Sequence, residues 1–191
     1  MIDPYNITNY NRTLEELEEF LIFCLIVAGK TAVPTARKLQ RFLEDKPLPM
    51  HSIRVLSHSG KLLEDIKKHR LGNYTKTEHA LKELAFARVR LDKVNRDKLV
   101  EVKGIGMKTA SFYILHSRPD QNIAVLDTHV LKWLQMRMTK KHMKCKIPKS
   151  TPSDPGEYRF LEMLVLRELE ELGYSPAEGD QQVWNTKGKL S

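Results

Sequence analysis

Two glycines, an amine and a carboxylate stand close together in the middle of this chain, in "KGIGMKTAS" and "IAVLDTHVLK". Gly104 and Gly106 flank Ile105, and Lys108 follows at the start of a helical pattern. Glycine takes positive φ without a Cβ penalty, so the pair allows a tight reversal. A turn bare of side chains also lets another backbone come close. Its N–H groups and those of the next helical turn then point outward together, which suits a phosphodiester. Ile105 is placed to anchor that turn in the core. Lys108 has two uses there. As an ammonium it binds phosphate; as a neutral amine it is a nucleophile. A lysine ordinarily titrates near ~10.4, and both burial and helix N-termini disfavour its charged form. Asp127 closes an apolar run and suits a helix N-cap, a role that still leaves one oxygen free.

The elements around these residues read as helices. Thr13 and Glu16 form a capping-box pattern, followed by Leu14, Leu17, Phe20, Leu21, Cys24, Leu25 and Ala28 at helical spacing. Gly29 ends that helix, and a second runs from Val33 or Pro34 to Glu44. A short helical or turn piece is expected over Ser52–Ser57 and a short helix over Lys61–His69, with a longer helix from Thr75 or Thr77 to about Arg90. Arg96–Val102 and Lys108–Ser117 flank the glycine turn, and Asp127 opens a helix to about Met136. Glu157–Leu172 is amphipathic, and Asp180–Asn185 forms a last short helix. No segment shows sustained period-two alternation; "NIAVL" is partly β-branched but isolated. The predicted class is all-α.

The combination "GIGMKTAS" followed by "IAVLDTHVLK" resembles the helix-hairpin-helix (HhH-GPD) DNA glycosylase superfamily, which includes endonuclease III and the 8-oxoguanine DNA glycosylases. The resemblance is most specific over Leu99–Leu134 and weaker over "RLGNYTKTEHALKELA" upstream. It implies that Lys108 and Asp127 are a catalytic pair, acting on double-stranded DNA that carries a damaged or mismatched base. The hairpin residues Gly104, Ile105, Gly106, Met107 and Thr109 would contact DNA. Two helical lobes are implied, residues 30–120 in one and residues 1–29 with 121–191 in the other, with the active site in the cleft between. Lys30, in the break "AGKTA", would meet DNA or stand in solvent. Leu71, Asn73 and Tyr74 are candidates to fill the gap left by an extruded base. His129 and Trp184 are candidates for the base pocket. A monovalent cation can sit on the hairpin carbonyls in this superfamily; no other cofactor is implied.

Within the superfamily, "KGIGMKTAS" and "VLDTHVLK" look most similar to the short prokaryotic 8-oxoguanine glycosylase/AP lyases. "IVAGKTAVPTARK" departs from the pocket sequence of that branch, which leaves a mismatch or oxidised-pyrimidine glycosylase open. A non-catalytic DNA-binding module with the same hairpin would leave Asp127 unexplained. A helical protein–protein adaptor would leave both the hairpin lysine and the charge unexplained.

Composition agrees with an anionic partner. The formal net charge is +8, with 32 Lys and Arg against 24 Asp and Glu. Two cysteines, Cys24 and Cys145, are too few for a four-thiolate iron–sulfur or zinc site. Cys24 lies in an apolar run and reads as core. His129 lacks a second ligand at zinc spacing, so no metal site is expected. The longest apolar run, Phe20–Ala28, falls short of the ~20 residues that cross a bilayer. The N-terminal residues lack the basic-then-apolar layout of a signal peptide. An intracellular, monomeric protein is expected.

Two basic clusters flank the motif: Lys67, Lys68, His69 and Arg70, then Lys140, Lys141, Lys144, Lys146 and Lys149. Both are expected to touch phosphate. Affinity for duplex DNA should then fall steeply between ~50 and ~200 mM salt. Salt-independent binding in a fluorescence-anisotropy titration would remove both clusters from the interface.

Overall fold

The computed structural model of the chain describes residues 2–87, 89–142 and 146–190. Lys144 and Cys145 lie outside the described residues. Those described form helices α1 (Leu14–Ile26), α2 (Ala32–Leu43), α3 (Pro49–His58), α4 (Leu62–Lys68), α5 (Tyr74–Phe86), α6 (Arg96–Val100), α7 (Met107–Ser117), α8 (Thr128–Lys140), α9 (Pro155–Glu171) and α10 (Pro176–Asn185). No strand occurs among them. The all-α expectation holds, with several ends shifted. Helix α3 starts at Pro49, ahead of the expected Ser52, because proline fits a first helical turn. Helix α5 stops at Phe86, and α8 runs on to Lys140. Helix α10 starts at Pro176 because Ser175 and Glu178 close a capping box ahead of it.

Local chemistry fixes the helix starts near the site. Thr13 and Glu16 make the expected capping box of α1. Asn95 caps α6 by accepting the Lys98 N–H at 2.8 Å. Asp154 caps α9 by accepting the Glu157 N–H at 2.7 Å, with Pro155 in the first turn.

Two apolar cores result. The first takes side chains from α1 to α7, from Ile2 to Ile114. The second is built by α8, α9, α10 and the residues just before α8. Residues 1–29 had been expected with the C-terminal third; instead the buried side chains of α1 belong to the first core. Phe20, Leu21, Ile22, Phe23 and Cys24 are consecutive and all buried, so the second half of α1 is apolar around its circumference and needs neighbours on every side, which the other helices of the first core supply. Trp133 is buried in the second core, its indole N–H donating to the Leu190 carbonyl at 3.0 Å. Glu168, also buried, accepts from Arg137 at 2.8 Å and Lys141 at 2.6 Å and so ties α9 to α8. Lys141, expected on phosphate, is therefore committed to carboxylates inside the fold. No helix among the described residues is long and apolar enough to cross a membrane.

Candidate active site

The hairpin forms as its sequence suggests. Helix α6 ends, the Ile105 N–H donates to the Val102 carbonyl at 3.0 Å, and α7 begins at Met107. Ile105 is buried and pins the turn to the first core. The two glycines do different work. Gly104 has φ +94, and a Cβ there would lie 2.7 Å from the Ala80 Cβ of α5. Its side chain is excluded by both dihedral and neighbour. Gly106 is the N-cap of α7 with φ −93 and ψ 173, a conformation open to any residue, and a Cβ there meets nothing. No side chain caps α7. The space before its first N–H groups is thus kept open toward solvent. Thr109 and Ile105 have buried side chains, so only their main chain could reach DNA. Met107 is half-buried and leans on the second core.

Asp127 caps α8, its Oδ1 accepting the N–H groups of His129 and Val130, each at 2.8 Å. Two fixed donors orient the carboxylate and leave Oδ2 for other work. Burial pushes its pKa above the ordinary carboxylate range, and the neighbouring charge of Asp180 adds to the rise. The Val130 N–H, Lys108 and His129 oppose it.

Lys108 and Asp127 line one cleft of about 930 Å³. Lys30, His129 and Trp184 line it as well. The amine of Lys30 is not simply solvated: it donates to the Leu71 carbonyl at 2.7 Å, and burial then the charge of Lys38 hold its pKa down. Of the residues expected to enter the DNA stack, Leu71 is corrected. Its side chain is 2% exposed and belongs to the first core, because only its carbonyl faces Lys30. Asn73 and Tyr74 are exposed and lie outside the cleft, Asn73 with a left-handed backbone at φ 47. Among the described residues, no group of three or more His, Cys, Asp or Glu is placed to hold a metal ion.

Sequence reasoning missed two parts of the cleft. Tyr5 stands on its rim, edge-on to Trp184 with ring centroids 6.1 Å apart. Nothing in the spacing of the N-terminal residues marks it. Asp180 lines the cleft and accepts from His116 Nε2 at 3.0 Å, while Thr8 meets His116 Nδ1 at 2.7 Å. The fully buried His116 thereby joins the N-terminal segment, α7 and α10. An aspartate about one turn before Trp184 would have had to be read as site rather than surface.

A helical fold, a glycine hairpin and a lysine facing a capping aspartate define a helix-hairpin-helix DNA glycosylase. The family model of the 8-oxoguanine DNA glycosylases (Ogg-HhH) matches residues 1–154, and the chain belongs to that family. It is also similar to the solved structure of the Methanocaldococcus jannaschii 8-oxoguanine glycosylase/lyase, determined in complex with 15mer DNA containing 8-oxoguanine. The TM-score is 0.62 at 22% identity, over 95% of this chain and 85% of that one. At that identity the likeness shows the shared fold.

The glycines separate folding from binding. Gly104→Ala should lower stability by about 1–3 kcal/mol, from the strained dihedral and the Ala80 contact. Gly106→Ala should melt like the wild type yet bind duplex DNA more weakly than any single surface-lysine variant. Wild-type affinity for Gly106→Ala would mean that the hairpin is not the DNA anchor. Asp127 makes a second prediction. Its folded pKa is raised, so its contribution to stability is present at low pH and lost as pH rises through that value. Asn caps about as well as Asp. Asp127→Asn should therefore melt above the wild type at neutral pH, with the gap closing as pH falls from the raised pKa of Asp127 toward the ordinary carboxylate value. A neutral-pH melting temperature below the wild type would contradict this account.

Proposed function

We propose that the protein removes 8-oxoguanine from double-stranded DNA and then cuts the strand, with Lys108 as nucleophile and Asp127 as its charge partner. The observation that carries this reading is the placement of both side chains on one cleft, each at the N-terminal end of its helix. The base must leave the stack before its glycosidic bond can be reached. The neutral Lys108 amine then gives its electron pair to C1′, the N-glycosidic bond breaks, and the base departs with the bonding electrons. As positive charge grows on the sugar, the ionised Asp127 stabilises it and can take up the proton lost by the amine. Collapse to the Schiff base opens the sugar. Loss of a C2′ proton then expels the 3′ phosphate by β-elimination.

The other groups act by position. The uncapped start of α7 beyond Gly106 receives a phosphate, and Gly104 holds the turn against α5. Trp184 and Tyr5 present ring surfaces at the mouth, suited to a flat base. His129 shapes the floor beside the cap. A monovalent cation on the hairpin would be held by main-chain carbonyls, of which Val102's already accepts the Ile105 N–H at 3.0 Å.

Borohydride added during turnover on an 8-oxoguanine duplex should trap a covalent protein–DNA adduct. Lys108→Gln should abolish the adduct and keep binding to the damaged duplex. Asp127→Asn should slow excision by ~10²–10³-fold. The two losses should not add, because both groups serve one step. An adduct that survives Lys108→Gln moves the nucleophile elsewhere. Excision without any adduct points to a water nucleophile activated by Asp127. A panel of other lesions and mismatches on the same duplex tests the choice of base.

A further inference from the structure

The residues before Asp127 present a problem of backbone chemistry. Ala124, Val125 and Leu126 belong to no helix and are buried, at 3%, 3% and 0% exposure, and among the described residues no strand lies beside them. Buried N–H and C=O groups need partners. Here the partners are side chains, two of them on one face of α9. The Tyr158 hydroxyl donates to the Ala124 carbonyl at 3.0 Å and accepts the Leu126 N–H at 3.1 Å. Glu162, one turn along, accepts the Ala124 N–H at 3.0 Å. Thr151 closes the set by donating to the Leu126 carbonyl at 2.7 Å. The Asp127 N–H then turns back to the Val125 carbonyl at 2.9 Å, and α8 starts.

Glu162 also reaches the hairpin side of the molecule. Its Oε1 accepts from Arg96 of α6 at 2.5 Å, and the same guanidinium nitrogen donates to Ser111 of α7 at 3.3 Å. Ser111 lies one turn beyond Lys108 on α7. Tyr158 and Glu162 thus stand between the helix that carries the amine and the segment that carries the carboxylate.

We propose that Tyr158 is a positioning residue for Asp127: through Ala124 and Leu126 its hydroxyl sets the register of the segment that aims the carboxylate into the cleft. The inference rests on the functional reading above for its kinetic consequence, though not for its geometry. Tyr158 never touches the reacting atoms; it is fully buried behind them. Burial pushes its hydroxyl up to about 12, so it remains a donor at any working pH. Phenylalanine keeps the ring and the packing and removes the hydroxyl's bridge between the two backbone groups, together with its hydrogen bond to the Ser111 side chain.

The experiment compares Tyr158→Phe with Met138→Ala, which opens the same core about three turns further along α8. Amide hydrogen exchange is read at Leu126, His129 and Val130. In Tyr158→Phe all three amides should lose protection beyond the change in global stability, because the donors to Asp127 Oδ1 shift with the segment. In Met138→Ala they should follow global stability alone. Faster exchange at Leu126 with His129 and Val130 unchanged would overturn the proposal. In single-turnover assays on the 8-oxoguanine duplex, Tyr158→Phe should bind normally and excise ~10- to ~100-fold more slowly, the scale of a small misplacement. Met138→Ala should excise at the wild-type rate well below its melting temperature. A wild-type rate for Tyr158→Phe would also overturn the proposal. Absence of excision by the wild type would instead overturn the functional reading, while the exchange data would still decide the positioning.

Discussion

A carboxylate held in a half-buried place, beside a second carboxylate, is the constraint around which this molecule is arranged. Burial and Asp180 both disfavour the ionised form of Asp127. What holds it is local: two N–H donors from the first turn of α8, the partial positive charge of that helix end, and Lys108 across the cleft. Helix α8 must therefore start at Asp127 and point its N-terminus at the cleft. Its far end must be held too, and the buried Glu168 does this from α9 through Arg137 and Lys141. The same α9 supports the residues before the cap through Tyr158 and Glu162. One helix thus braces both sides of the element that presents the charge. A site built so costs stability at neutral pH, the usual sign of groups placed for chemistry rather than for packing.

The hairpin follows a related logic with a different currency. Gly104 is demanded by the fold, since its dihedral and the Ala80 contact admit no side chain. Gly106 is demanded by nothing within the fold. An N-cap position usually carries Ser, Thr, Asp or Asn, which would satisfy the donors of the first turn. Glycine there leaves those donors for a ligand. The glycine that the free protein can spare is thus the one whose presence argues for a partner.

Much of this was legible in the sequence, because the informative signals are local. The capping pattern at Thr13 and Glu16, the glycine turn and the aspartate before "THVLK" each act over a few residues, and each forms as its chemistry predicts. Ser175 and Glu178 carried a similar signal for the start of α10 that spacing alone overlooked. What could not be read were contacts made across the chain. Leu71 sits in a polar, glycine-containing loop, yet burial turns its side chain inward and leaves only its carbonyl for Lys30. Lys141 belongs to a basic run, but Glu168 and Glu171 on another helix claim it. The placement of α1 in the first core depends on which helices surround it, and its own periodicity does not tell.

The cleft itself depends on such long-range closure. Its upper wall is made by the N-terminal segment and α10, neither of which is near the hairpin in sequence. His116 joins them at the C-terminal end of α7: Thr8 on one ring nitrogen, Asp180 on the other. Arg12 strengthens the join by donating to the carbonyls of Ile7 and His116, at 2.6 and 2.7 Å. Lys108 occupies the opposite end of that same helix. Helix α7 therefore fixes the amine at its start and, through a buried imidazole at its end, the aromatic rim where Tyr5 meets Trp184. Asp180 serves in both places, as the partner of His116 and as the charge beside Asp127. One carboxylate thus takes part both in closing the cleft wall, through His116, and in raising the pKa of Asp127, where burial is the larger cause.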